Sequence, residues 1–274
     1  MTLYSRHVER DHKLPRYRET LLASLTKDLI ADPRVLAVFV AGSMAKGNAD
    51  LYSDIDLRVV VKPHDLEYFV TEKKHRPNAW GEVLFYEDLG PKVAHTVAHY
   101  SGFVKVDIFY YSSEKMVPSL FLQDIHILHD PAGFMEDLHC RSMSLVYRPS
   151  PPEVEFWRYK ILAYAHEVYR RCMRGELSYA RKMIIGLAEY AVEGWHMEAG
   201  RLPEGSKAEG GRTVLDPWQL NMLDAWNPCG DAKAVLGTMT GMVPELSRLN
   251  IELSKITGCD PKTETWQRAW ELVI

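Results

Sequence analysis

The stretch FVAGSMAKGNADLYSDIDLRVVV (39–61) decides the fold of this chain. Its two runs of β-branched and aromatic residues predict two strands, separated by a Gly42-Ser43 turn that opens a helix and by a loop. The second strand begins with two carboxylates. Because side chains alternate between the two faces of a strand, Asp54 and Asp56 project on one side, while the apolar residues beside them point into the core.

This stretch combines the parts of a phosphate site with those of a cation site. Glycine at position 42 lets the backbone come close to a ligand, and the free N–H groups at the start of the next helix favour phosphate oxygens. Ser43 adds a hydroxyl donor. The carboxylates of Asp54 and Asp56 suit Mg²⁺, which prefers to share its shell with waters and substrate phosphates.

A third acid lies in the run KVDIFYY (105–111), which predicts another strand. An unpaired carboxylate in such an apolar strand would be costly, so Asp107 is best explained by a cation or a bound water. Pairing with Lys105 on the same strand face is the alternative explanation. Three carboxylates beside a phosphate-binding turn predict in-line nucleotidyl transfer on one or two Mg²⁺ ions, with Asp107 helping to activate the nucleophile.

These residues resemble the nucleotidyltransferase superfamily of DNA polymerase β type. The family pattern begins with an apolar residue, then Gly, then Gly or Ser. About ten residues later it continues with two acids that are separated by one apolar residue. Gly42-Ser43 and Asp54-Ile55-Asp56-Leu57 satisfy it. The nearest branch is that of the small-molecule adenylyltransferases, which include aminoglycoside and lincosamide resistance enzymes. The resemblance implies that Gly42 and Ser43 hold the β- and γ-phosphates, that Asp54 and Asp56 bind Mg²⁺, and that Asp107 is the third carboxylate.

The resemblance also implies a base and basic contacts to the triphosphate. In the aminoglycoside branch a glutamate often serves as base toward the acceptor hydroxyl, and Glu82 and Glu87 are the candidates. They lie five positions apart and so face opposite sides of a regular strand. The candidate basic residues are Lys46 and, in the second half of the chain, the Arg181-Lys182 pair or Lys160.

The rest of the sequence predicts an α+β protein: an N-terminal polymerase-β-like nucleotidyltransferase domain (1–147), with a mixed sheet and flanking helices, and a C-terminal helical bundle (148–274). The proline-rich segment RPSPPE (148–153) marks the boundary. In the first domain we predict helices over 15–31 and 62–75 and strands over 35–42, 54–61, 81–87 and 104–111. In the second we predict helices over 153–175, 178–200, 216–226, 231–258 and 261–273.

Composition excludes several other classes of protein. The chain has 274 residues, 46% of them hydrophobic, and 33 Lys and Arg against 37 Asp and Glu, which argues against disorder and against a basic surface that wraps nucleic acid. We expect no membrane span and no secretion signal, since no long apolar run is present. The four cysteines form no CxxC pair, which favours reduced thiols and a cytoplasmic protein. His95 and His99 have zinc-helix spacing but lack the glutamate of that motif.

The leading hypothesis is a Mg²⁺-dependent enzyme, monomer or homodimer, that moves a nucleoside monophosphate onto a hydroxyl of a small molecule. AMP from ATP is the expected donor group, and an aminoglycoside- or lincosamide-like antibiotic is the expected acceptor. We expect the cleft between the two halves to hold both substrates. One alternative is the same transfer to RNA or protein, for which Arg170-Arg171 and Arg181-Lys182 supply only a small basic channel. Another is a non-catalytic nucleotide-sensing or antitoxin-like module.

Overall fold

The computed structural model describes residues 5–203 and 215–274. The chain divides into two compact units, Met1–Leu145 and Val146–Ile274. The first contains a mixed sheet with helices, and the second is helical, so the predicted fold class is confirmed.

Within the described residues, the first unit is built on a six-stranded sheet with the order β3-β4-β5-β2-β1-β6. Strands β2 and β5 run parallel, and the other neighbouring pairs are antiparallel. The strands are β1 (Val35–Val40), β2 (Ile55–Val61), β3 (Val83–Glu87), β4 (His95–Tyr100), β5 (Lys105–Ser112) and β6 (His126–His129).

Apolar side chains pack against both faces of this sheet, in a larger core on one face and a smaller core on the other. On one face, Leu21, Leu25 and Leu29, spaced one helical turn apart on a single helix, pack with Ile55 and Leu57 in the main core. On the other face, a smaller core forms around β1 and the helix after β6. The helices of this unit are α1 (Val8–Asp11), α2 (Leu14–Ile30), α3 (Gly42–Ala45), α4 (Leu66–Glu72) and α5 (Phe134–Ser142).

This unit departs from the sequence prediction at 95–100 and at 62–75, and helices α1 and α5 have no predicted counterpart. The sequence predicts no strand over 95–100, but His95–Tyr100 forms strand β4, paired with β3 and β5. Histidines four apart share a face in a strand as well as in a helix, so their spacing does not separate the two. The helix predicted over 62–75 is limited to α4, because Pro63 begins a separate 3₁₀ turn at Pro63–Asp65.

The second unit consists of α6 (Pro151–Met173), α7 (Leu177–Glu198), α8 (Pro217–Ala225), α9 (Ala232–Thr257) and α10 (Thr263–Glu271). Its first helix begins with a capping box in which the Ser150 hydroxyl accepts from the Glu153 N–H, and prolines occupy the first turn. Buried Arg158 joins α6 to α9 by donating to Asn250 Oδ1 (2.6 Å) and Ser254 Oγ (2.8 Å). Among the described helices, none is long and apolar enough to cross a bilayer.

Candidate active site

The parallel pairing of β2 and β5 brings the predicted acids together. Its register sets Asp56 opposite Asp107, so the two carboxylates leave the same face of neighbouring strands, whose backbones lie about 4.8 Å apart. Asp54 comes directly before β2. Ile55 and Leu57, the alternating residues, are fully buried on the opposite face, as predicted.

The glycine of the turn is fixed by one of these acids. Gly42 has a φ of +63°, and a Cβ at this position would lie 2.1 Å from Asp56 Oδ2. The neighbouring Ala41 N–H donates to the Asp56 carbonyl at 3.0 Å. A side chain at position 42 would therefore displace the carboxylate, and the turn and the acidic strand form one structural unit.

The loop that leads into Asp54 is anchored from the first two helices. Buried Arg18 of α2 donates to the carbonyl of Ser53 at 2.7 Å. The Tyr52 hydroxyl donates to Asp11 Oδ2 of α1 at 2.9 Å. These contacts hold the backbone just before the first acid.

Lys105 neutralises two of the acids. Its Nζ lies 2.8 Å from Asp54 Oδ2 and 3.3 Å from Asp107 Oδ1. Burial alone would lower the pKa of Lys105, but its hydrogen bonds to the two carboxylates and their negative charge outweigh burial, so its pKa is raised. The pairing of Asp107 with Lys105, the alternative explanation for that acid, is thus present in the structure.

Arg58 lies beside Asp56, and the sequence analysis did not identify it as a site residue. Its guanidinium is 3.6 Å from Asp56 Oδ1, donates to the Leu57 carbonyl at 3.2 Å and lies 3.9 Å from the centre of the Phe109 ring. Burial raises the pKa of Asp56, the charges of the other two acids add to this, and Arg58 opposes it. The available signal was alternation, because Arg58 follows Asp56 by two positions in the same strand.

The chemistry of the three carboxylates fits Mg²⁺, although they form no ready-made cage. Within residues 5–203 and 215–274, no group of three or more His, Cys, Asp or Glu side chains has an arrangement that could hold a metal ion. Mg²⁺ does not require such a group, since it commonly takes one or two carboxylates together with waters and substrate phosphates. In the protein alone, the cations beside these acids are Lys105 and Arg58.

The two other residues predicted near the turn have local partners. Ser43 lies in α3, and its carbonyl accepts from the Asn48 N–H at 3.1 Å. Lys46 is exposed, and its Nζ lies 3.3 Å from Asp124 Oδ2. Lys46 therefore pairs with a carboxylate other than the three acids.

Of the two predicted bases, only Glu87 lies in a strand. The register sets Glu87 opposite Val97, and Val97 opposite Asp107. Glu87 and Asp107 therefore lie on the same face of the sheet, with their backbones two strand spacings, or about 10 Å, apart. Its Oε1 lies 2.6 Å from His99 Nε2. Glu82 precedes β3 and is exposed.

Aromatic rings and histidines continue the same face beside the acids. His95 stacks on Phe109 with ring centres 3.9 Å apart, and His99 stacks on Phe85 at 4.2 Å. Burial lowers the pKa of His95. The stacked rings lie on a strand rather than on a helix, so they do not form the zinc-helix arrangement.

The predicted basic residues of the second half all lie in the helical unit. Arg181 of α7 donates to the Gly230 carbonyl, and the adjacent Lys182 is exposed. Lys160 of α6 has its ammonium 5.3 Å from the Phe156 ring centre. Their contact with a triphosphate stays a prediction.

Comparison with known proteins gives one family match and two similar solved structures. Residues 22–90 match the family model described as nucleotidyltransferase domain. No curated protein matches the chain. An aminoglycoside 6-adenyltransferase from Bacillus subtilis aligns over 92% of this chain and 97% of its own, with 10% identity and a TM-score of 0.41. A nucleotidyltransferase-like protein from Exiguobacterium sibiricum aligns over 87% of this chain and 77% of its own, with 12% identity and a TM-score of 0.43.

The family match confirms the nucleotidyltransferase resemblance. The matched segment contains Gly42, Ser43, Asp54 and Asp56, whereas Asp107 lies beyond it. A nucleotidyltransferase domain implies binding of a nucleoside triphosphate and suggests nucleotidyltransferase activity. At such low identity and TM-score, the two structural likenesses carry no information about substrate.

Proposed function

We propose that this protein is a Mg²⁺-dependent nucleotidyltransferase that moves AMP from ATP onto a hydroxyl group of a small molecule. The observation that carries the proposal is that Asp56 lies opposite Asp107 on one sheet face, while Asp56 also packs against Gly42, which lies with it in the segment that matches the nucleotidyltransferase family. Asp54 adds a third carboxylate at the same place.

The nucleotide is bound by the turn and the acids. Backbone N–H groups after Gly42 and the Ser43 hydroxyl would donate to phosphate oxygens, and Asp54 and Asp56 would hold Mg²⁺. The bound ion would supply positive charge that offsets the triphosphate and lowers the pKa of the attacking hydroxyl.

Asp107 receives the proton during transfer. The acceptor oxygen forms a bond to the α-phosphorus, the bond between that phosphorus and the pyrophosphate oxygen breaks, and the hydroxyl proton passes to the Asp107 carboxylate. The products are the nucleotidylated acceptor and pyrophosphate.

The open sheet face beside Asp107 supports a small cationic acceptor. Phe85, whose ring stacks on His99, is 54% exposed, and the Glu87 side chain is 65% exposed. Exposed ring faces attract ammonium groups, and nearby carboxylates add to this attraction. A polyhydroxylated amine of the aminoglycoside kind has both the positive charge and the hydroxyl group that this surface would accept.

The test is pyrophosphate release from each of the four nucleoside triphosphates, with Mg²⁺ and a panel of aminoglycosides and lincosamides. The proposal expects release that requires ATP, Mg²⁺ and one class of acceptor together. The Asp137→Asn variant, which alters an exposed ion pair on α5, serves as the matched control and should behave like the wild type.

Two results would contradict the proposal. Nucleotide binding without pyrophosphate release in the presence of any acceptor would indicate a sensing module. Release stimulated by RNA, with binding that weakens steeply as salt rises, would indicate a macromolecular acceptor.

A further inference from the structure

We propose that the Lys105 ammonium is a built-in counter-cation of the acidic site, which Mg²⁺ displaces from Asp54 and Asp107 and which then pairs with the phosphates of the nucleotide. This inference rests on the proposed function and assigns a positioning role to a residue that neither the motif nor the family match includes.

The position of Lys105 is the first argument. Its Nζ lies 2.8 Å from Asp54 Oδ2 and 3.3 Å and 3.4 Å from the two Asp107 oxygens, so one ammonium contacts both carboxylates. Asp54 is one of the two carboxylates proposed to hold Mg²⁺, and Asp107 lies opposite the other, Asp56. Lys105 and a metal ion would therefore compete directly for the Asp54 oxygen and repel each other beside Asp107.

The greater exposure of Lys105 compared with Arg58 is the second argument. The Arg58 side chain is 9% exposed and is fixed by the Leu57 carbonyl and the Phe109 ring. Lys105 is 40% exposed and reaches the acids through a flexible four-carbon stem. Arg58 is thus the permanent partner of Asp56, and Lys105 is the exchangeable one.

Charge balance gives the direction of the exchange. Without metal, two cations offset most of the charge of three acids, which would otherwise repel one another. A divalent ion at Asp54 and Asp56 would repel the Lys105 ammonium from its position between Asp54 and Asp107, because both carry positive charge. The strongly negative triphosphate binds together with the metal, and its oxygens would replace the two carboxylates as partners of Lys105.

The test compares Lys105→Met with the wild type in metal binding without nucleotide. Mn²⁺ binding is followed by electron paramagnetic resonance, and melting is measured in EDTA and in Mg²⁺. Removal of the competing cation should tighten Mn²⁺ binding about three- to tenfold. The variant should melt lower than the wild type in EDTA and recover in Mg²⁺, yet bind a Mn²⁺-ATP analogue more weakly.

Two further variants serve as controls. Lys115→Met removes an exposed lysine just after the far end of β5 and should leave Mn²⁺ affinity unchanged. Lys105→Arg retains a cation and should retain the weaker, wild-type-like Mn²⁺ affinity. Unchanged or weaker Mn²⁺ binding by Lys105→Met would overturn the inference.

Failure of this inference is distinguishable from failure of the proposed function. If the wild type transfers AMP but Lys105→Met binds Mn²⁺ no more tightly, the counter-cation role is wrong and the enzyme assignment stands. If Lys105→Met binds Mn²⁺ more tightly but no transfer occurs with any nucleotide, the exchange is supported and the assigned reaction is wrong.

Discussion

The two faces of strands β2 and β5 differ sharply in chemistry, although alternate residues of the same two strands supply both faces. On one face, Ile55, Leu57 and Ile108 are fully buried in the main core. On the other, Asp56 and Asp107 stand among cations and rings. Because a shift of one residue would exchange the faces, the buried residues hold the acids in register. Stability and chemistry are therefore separable by alternate substitutions along one strand.

The largest effect on turnover is expected for Asp56→Asn. A metal ligand supplies several kcal/mol of transition-state stabilisation, so its loss should lower kcat/KM about a thousandfold or more. Activity is measured as pyrophosphate release, with Asp137→Asn as control. Full activity in Asp56→Asn would contradict the assignment of this face.

The same variant should be at least as stable as the wild type without metal. Burial raises the pKa of Asp56 in the folded protein, so the ionised carboxylate opposes folding. The gain in melting temperature of Asp56→Asn should be present at neutral pH and vanish as the pH falls below about 4, where the acid is protonated in both states. A stabilisation that persists at low pH would contradict burial as its cause.

Asp107→Asn should have the next largest effect and act mainly on the chemical step. Loss of a general base costs about a hundredfold or more in rate. Single-turnover measurements should show slower transfer with little change in affinity for ATP. A pure loss of ATP affinity would instead give Asp107 a metal-positioning role.

The paired variants Gly42→Ala and Gly47→Ala isolate the close approach to Asp56. Both glycines have positive φ, +63° and +68°, but only at Gly42 would a Cβ meet Asp56, since nothing lies within 4 Å of a Cβ at Gly47. Each should lose about 1 kcal/mol of stability from backbone strain. Only Gly42→Ala should also lose at least about tenfold in turnover, and equal turnover in the two would contradict the close packing.

The smallest effect on turnover is expected for Ile108→Val, on the buried face beside Asp107. It should cost about 1 kcal/mol in the free energy of unfolding, measured by urea denaturation, because a buried methyl group is lost. Turnover per folded molecule should stay at the wild-type level. A loss comparable with that of Asp107→Asn would show that the two faces are not separable.

The sequence predicted the parts of the fold with strong local periodicity. Helix α2 and strands β1, β2 and β5 lie within a few residues of their predicted bounds, since their apolar residues repeat at a regular spacing. Strand β4 was missed because HTVAHY mixes histidines with few apolar residues, and its pairing depends on neighbours distant in sequence.

The candidate site could be predicted only as far as its motif extends. The spacing of Gly42-Ser43 and the two acids indicated one site, but the register of β2 against β5, which sets Asp56 opposite Asp107, is a tertiary property. The guanidinium of Arg58 and its ring partner Phe109 come from different strands, so no local pattern announces their contact. Assignment of Glu82 or Glu87 as a base stays a prediction.

The most direct test of the central claim is a calorimetric titration of the wild type and Asp56→Asn with a non-hydrolysable ATP analogue, each with and without Mg²⁺. The charged sheet face predicts that Mg²⁺ strengthens binding to the wild type, that this gain is lost in Asp56→Asn, and that the variant melts no lower than the wild type. Equal, Mg²⁺-independent binding to both proteins would contradict the assignment of this face as the nucleotide site.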